Sequence, residues 1–171
     1  MVLCIGGKGA GKTLLLSLLE DKNFNPDSCL VPTVGVNIFT VRVETGGKKK
    51  KTVEIPVREL GGELSPLWRD YLRTERSVIF VINSQDLTKA GLVAVKLCEA
   101  LSVLEDVSRH SQQLCRLCVV WTRSGDVTTF TRILRLRELI KDTSVICSEI
   151  IFDIETLSGL AVLRDWLVQC Q

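Results

Sequence analysis

Short apolar runs alternate along the chain with longer stretches in which apolar positions recur every three or four residues. Residues 2–5 are continuously apolar and predict a short buried strand. Residues 12–19 carry Leu15, Leu18 and Leu19 at helical spacing. Residues 25–33 contain two prolines and read as a loop. Two segments then alternate strictly. Phe39, Val41 and Val43 face one way, with Thr40, Arg42 and Glu44 opposite; Val53, Ile55 and Val57 face one way, with Glu54, Pro56 and Arg58 opposite. Residues 45–51, with Gly46-Gly47, join them and predict an antiparallel hairpin. Pro56 has no N–H to donate, so its strand is expected to lose one ladder bond there.

Residues 78–82 predict a buried central strand, and Val93, Leu97, Ala100, Leu101 and Leu104 a helix after it. Residues 117–121 predict another buried strand. Residues 130–140 predict one helix with its arginines on the wet side. Residues 145–152 predict the last strand, and 158–169 the last helix, with Leu160, Leu163 and Leu167 inward. This alternation of strand-like and helical patterns predicts an α/β fold. It is a three-layer, doubly wound, mostly parallel six-stranded sheet with one antiparallel edge hairpin.

The 171 residues match one domain over 1–171, able to bury roughly 70% of its unfolded surface. With 46% hydrophobic and 25% charged residues, the composition excludes a disordered chain. No apolar run approaches the ~18–20 residues that span a bilayer, and no basic leader precedes the first strand. The net charge is +2, and Lys48, Lys49, Lys50 and Lys51 supply four of the positive charges. With no general basic field, a nucleic-acid partner is not expected. The lysine cluster reads as a solvated hairpin tip, the alternative being weak affinity for anionic lipid or an acidic partner. Seven cysteines cannot all pair within the chain. Cys115-Arg-Leu-Cys118 has no second pair to complete a zinc site and reads as structural. The expectation is a reduced, cytoplasmic protein.

The chemistry concentrates in Gly6-Gly7-Lys8-Gly9-Ala10-Gly11-Lys12-Thr13, which fits G-x-x-x-x-G-K-[ST] and lies between a buried strand and a helix. Glycines let the backbone curl so that successive N–H groups point into one concavity, and the helix N-terminus adds positive potential. Lys12 is a point charge for the β- and γ-phosphates of a nucleotide, and Thr13 offers a hydroxyl to Mg²⁺. This arrangement resembles that of P-loop NTPases.

Further along, Pro32-Thr33-Val34-Gly35-Val36-Asn37 resembles switch I of the ADP-ribosylation-factor branch of small GTPases. Glu59-Leu60-Gly61-Gly62 resembles the D-x-x-G region of switch II, and the Arg58-Glu59-Leu60-Gly61-Gly62 form resembles a divergent member. Pro66-Leu67-Trp68-Arg69-Asp70-Tyr71 and residues 78–84 are similar to the same branch. The resemblance is close over about residues 2–90 and architectural beyond. It implies a small-GTPase fold and a guanine-nucleotide switch that binds GTP or GDP with Mg²⁺. Thr33 would reach Mg²⁺ and the γ-phosphate, the Gly62 N–H would contact the γ-phosphate, and the hairpin would shift register with nucleotide state. Trp68 and Tyr71 would face protein effectors and regulators; the alternative for Trp68 is core packing. Many relatives carry a myristoylated N-terminal helix. Val2 stands where the acceptor glycine would be, and Val168-Gln169-Cys170-Gln171 is not a prenylation box. A monomer without a stable membrane anchor is expected.

Departures from the family pattern shape the functional expectation. Glu59 replaces an aspartate that holds Mg²⁺ through water. Glu63 stands in place of the glutamine that orients the attacking water, and a carboxylate cannot donate to the developing charge. Hydrolysis is therefore expected to be slow. Of the guanine-reading N/T-K-x-D, Thr122 fits the first position, Arg123 replaces lysine, Gly125 falls at the aspartate position and Asp126 comes one residue late. A loop bulge could still bring Asp126 to the base, with Arg123 stacking on it. The loop that backs the base maps onto Asp153-Ile154-Glu155, without lysine. Lys8 stands where most relatives have a small or acidic residue. It either adds a cation near the phosphates or points to solvent. Two further functional classes stay open: a pseudo-GTPase scaffold with weak or unselective nucleotide binding, and a P-loop kinase using Arg132, Arg135 and Arg137 as a lid.

Overall fold

The computed structural model describes residues 1–27, 30–45, 51–85, 87–122, 127–141 and 143–171. Six strands, β1 (Val2–Gly6), β2 (Val36–Thr45), β3 (Lys51–Leu60), β4 (Ser77–Asn83), β5 (Arg116–Thr122) and β6 (Ile146–Phe152), form one sheet. Their order is β2-β3-β1-β4-β5-β6. β2 and β3 pair antiparallel from Val36 opposite Leu60 to Thr45 opposite Lys51. The remaining pairings are parallel. The doubly wound sheet with its antiparallel edge hairpin is thus the one the patterning predicts. The hairpin strands outrun the apolar alternation at both ends. Pro56 sits opposite Thr40, just outside the β1–β3 register, which begins at Val57.

The helices are α1 (Lys12–Glu20), α2 (Trp68–Leu72), α3 (Ala90–Ser111), α4 (Val127–Leu134), α5 (Leu136–Lys141) and α6 (Leu160–Gln169). A 3₁₀ turn over Gly62–Leu67 leads into α2. Successive strand side chains point to opposite faces, which divides the core in two. Cys4, Ile79, Val81, Cys118 and Val120 pack with α1 and α6. Leu3, Ile5, Phe80, Ile82, Val119 and Trp121 pack with α2, α3 and α4. The thiols belong to this packing: Cys115 and Cys118 are fully buried, and burial pushes the Cys118 thiol up to about 12. None of the described helices is long and apolar enough to cross a membrane. The lysine cluster, apart from Lys51, lies outside the described residues.

One expected element is corrected. Residues 130–140 are not one helix: the chain breaks at Arg135, which adopts φ 48 between α4 and α5. Leu134 and Leu136 are both buried. On a continuous helix, residues two apart point about 200° apart, and the break re-phases the chain so that both face the core. The arginines of this stretch remain exposed. Trp68 is buried edge-on against Phe80, with centroids 5.8 Å apart, so in this conformation its ring belongs to the core. Tyr71 lies half-buried beneath the Arg58 guanidinium, 5.7 Å from the ring centroid.

Two tethers bring distant sequence to α1. Thr122, at the end of β5, donates its hydroxyl to the Ala10 carbonyl at 2.6 Å. Arg164 of α6 donates through Nη2 to the carbonyls of Leu18 and Leu19, at 3.1 and 3.3 Å. These are orphan acceptors at the C-terminal end of α1, where a cation is also favoured by the helix dipole.

Candidate functional site

Leaving β1, the chain turns through Gly6, Gly9 and Gly11 at φ 151, 74 and 91 and enters α1. The φ values of Gly9 and Gly11 lie in the left-handed region that glycine adopts without a steric penalty. No side chain caps the start of α1, so its first N–H groups are left for another acceptor. Lys12 folds back over the loop, its Nζ donating to the carbonyls of Gly6 at 2.9 Å and Gly7 at 3.0 Å. It is only 5% exposed. Burial pulls its ammonium below the ordinary lysine value, while Cys4 and Glu59 beside it act the other way.

Two segments cross in front of this loop. Gly61 donates its N–H to the Gly35 carbonyl at 2.8 Å, and a Cβ at Gly61 would lie 2.5 Å from the Thr33 carbonyl oxygen. A Cβ at Gly62 would lie 2.3 Å from the Lys8 nitrogen and 2.5 Å from its Cα. The segments at 33–35 and 61–62 therefore close by backbone-to-backbone contact that only glycine permits.

Inside this closure, three polar groups converge. Thr13 Oγ1 donates to Glu59 Oε1 at 2.7 Å. Thr33 Oγ1 lies 3.0 Å from Thr13 Oγ1 and 3.3 Å from the same carboxylate oxygen. Glu59 is 1% exposed, and its second oxygen, Oε2, is buried with no hydrogen-bond partner among the described residues. Such an orphaned acceptor is costly unless something pairs with it. An all-oxygen set of two hydroxyls and a carboxylate, with one oxygen unpaired, suits a hard divalent cation such as Mg²⁺. The residues present fit that ion.

At the rim, Lys8 Nζ and Glu63 Oε1 form an ion pair at 2.6 Å. The hydrogen bond from Lys8 holds the Glu63 carboxyl below the usual carboxylate range. On the other side, beyond β6, Asp153 turns its carboxylate onto the backbone N–H groups of Glu155 and Thr156, each at 2.9 Å.

These segments enclose a cavity of about 570 Å³. Lys8, Gly9, Ala10, Gly11, Lys12, Thr13, Thr33, Glu59, Gly62 and Glu63 all line it. Gly6 and Gly7 stand behind, holding Lys12. Thr122 is buried and supports the loop through Ala10 instead of facing the cavity. Arg123 and Asp126 lie outside the described residues. Sequence reasoning missed the apolar lining from Leu14, Pro26, Leu30 and Val31, whereas Ile154 lies in the 153–155 loop that the resemblance set behind the base. Only the two prolines at 26 and 32 hinted that the loop before β2 was shaped to cover something.

Comparison with known proteins agrees with this geometry. The sequence model of the ADP-ribosylation factor family matches residues 1–169. Human ADP-ribosylation factor-like protein 4D is 38% identical over 112 residues, covering 64% of this chain and 50% of that protein. Human ADP-ribosylation factor-like protein 16 is 31% identical over 109 residues, covering 60% and 51%. The chain thus spans about half the length of the curated relatives it matches. Among solved structures, the Arl6 BBS3 small GTPase of Trypanosoma brucei, with bound nucleotide analogue GppNp, superposes with a TM-score of 0.73 at 20% identity. That match covers 98% of this chain and 94% of the other, and it establishes the fold.

Proposed function

The chain belongs to the ADP-ribosylation factor family, and from that premise we propose that it is a guanine-nucleotide-binding molecular switch. It takes GTP or GDP at the loop of residues 6–13 and presents its state to protein effectors and regulators through residues 33–35 and 62–71. The observation that carries this reading is the meeting of Thr13, Thr33 and Glu59 on one buried carboxylate oxygen beside Lys12. Three segments far apart in sequence come together at the loop whose backbone is shaped for phosphate.

Each residue has a definable part. Backbone N–H groups at 9–13 cradle phosphate oxygens. Lys12 exchanges its two carbonyl acceptors for phosphate, a stronger, charge-assisted partner. Thr13, Thr33 and Glu59 would hold Mg²⁺, which supplies charge neutralisation at the phosphates. Movement of Thr33 carries Gly35 and Gly61 with it, because these segments share backbone contacts. That coupling would transmit occupancy to the surface at 62–71. Hydrolysis is slow in this reading. Glu63 accepts a hydrogen bond from Lys8, and it has no proton to donate to a developing phosphoryl charge.

A second reading, a scaffold with unselective nucleotide binding, is favoured by one observation. On the β6 side Asp153 spends its carboxylate on its own turn, and the loop offers Ile154 to the cavity. The deciding experiment is chromatography of the nucleotide released when the purified protein is denatured. Retained GTP or GDP supports the switch, an empty protein the scaffold, and retained ATP or ADP would revive a kinase.

A further inference from the structure

Two positions where this chain departs from the family pattern, Lys8 and Glu63, meet in space. We infer that their ion pair sets the preference between nucleoside diphosphate and triphosphate. The Glu63 carboxylate occupies the place at the rim that a terminal phosphate would claim. This rests on the nucleotide reading of the cavity given above.

The placement follows from backbone packing. Gly62 lies directly on the backbone of Lys8, so the next residue, Glu63, emerges beside the Lys8 side chain. Both residues line the cavity together with Thr33, Glu59 and Gly62. Because β3 and β6 lie on opposite sides of β1, this rim stands away from Ile154 and close to the Thr13–Glu59 cluster.

The strength of the contact suits exchange. The two side chains are 62% and 72% exposed, so the pair is solvent-screened and parts at little cost. A phosphoryl group brings nearly two negative charges and three acceptor oxygens, and it outcompetes a single carboxylate for an ammonium. A diphosphate ends before this rim and leaves the pair intact. A triphosphate must take Lys8 and leave Glu63 unpaired beside a like charge, which opposes binding. Glu63 thus biases the site toward the diphosphate, and Lys8 limits that bias by being available to both anions.

Calorimetry with GDP and with GppNp, at fixed Mg²⁺ and ionic strength, tests this on the full chain. Glu63→Gln should shift the affinity ratio toward GppNp by roughly tenfold. Lys8→Ala should shift it toward GDP. The swapped pair Lys8→Glu with Glu63→Lys should return the ratio to within about threefold of the wild-type value. Equal shifts for both nucleotides in Glu63→Gln would overturn the inference while leaving the nucleotide site standing. A wild-type protein that binds neither nucleotide would overturn the nucleotide reading, and this inference with it.

Discussion

On the β3 side of the cavity, three chain segments are fastened to one another by buried polar groups and close backbone contact. Lys12 holds the loop carbonyls, Glu59 gathers two hydroxyls, and Gly61 and Gly62 lie against neighbouring backbone. On the β6 side, Asp153 satisfies its own turn and Ile154 supplies an apolar surface. One side is organised to recognise charge at defined positions, and the other to cover whatever lies against it. The difference teaches that binding and selectivity can be degraded independently. In the proposed reading, the groups that would take phosphate are in place, while the positions that would read the base depart from the family pattern in sequence.

Lys12→Ala should have the largest effect, costing roughly 2–4 kcal/mol of nucleotide affinity by calorimetry. Unchanged affinity would move the binding energy to the apolar side and break the contrast. Base selectivity comes next. With Gly125 at the aspartate position, the guanine-over-adenine ratio should fall ~10–100-fold below that of an ordinary small GTPase. Gly125→Asp should restore it. A strong guanine preference that disappears in Asp126→Ala would show that Asp126, one residue late in the motif, reads the base after all. Glu63→Gln should raise single-turnover hydrolysis by about tenfold. Combining it with Glu59→Asp tests whether the longer carboxylate also limits the rate. Wild-type turnover as fast as the double variant's would sink the slow-hydrolysis reading. The smallest change belongs to Ile154→Ala, at about 1 kcal/mol of affinity. It should be felt alike by guanine and adenine nucleotides; a loss confined to one base would make Ile154 a discriminating residue.

How much of this was legible depended on distance along the chain. The phosphate loop could be read directly, because eight consecutive residues carry it between a strand and a helix. Thr33 and Glu59 lie 20 and 46 positions after Thr13, and only the family resemblance linked them. The Lys8–Glu63 pair spans 55 positions. Its members were visible as two unrelated oddities, although their opposite charges were a signal that one answers the other. The resemblance set Ile154 in the loop behind the base, but the charges at Asp153 and Glu155 hid its apolar part, and the structure shows the Asp153 carboxylate satisfying its own turn. The break at Arg135 left a clue in the spacing of Leu134 and Leu136, which no continuous helix can bury together. Trp68 was ambiguous for a physical reason: a large aromatic beside a switch suits either a core or a partner.

The tethers at Thr122 and Arg164 also carry a consequence in time. The phosphate loop is among the first parts of this chain to be synthesised, yet β1 becomes an interior strand between β3 and β4. The Ala10 carbonyl waits for a hydroxyl made 112 residues later, and the end of α1 waits for a guanidinium made 146 residues after Leu18. At about 5–20 residues per second, that interval is about 6–30 s on the ribosome. Throughout it, the cradle lacks the supports that hold its shape. The supports of the cradle are thus the last parts of it to be made.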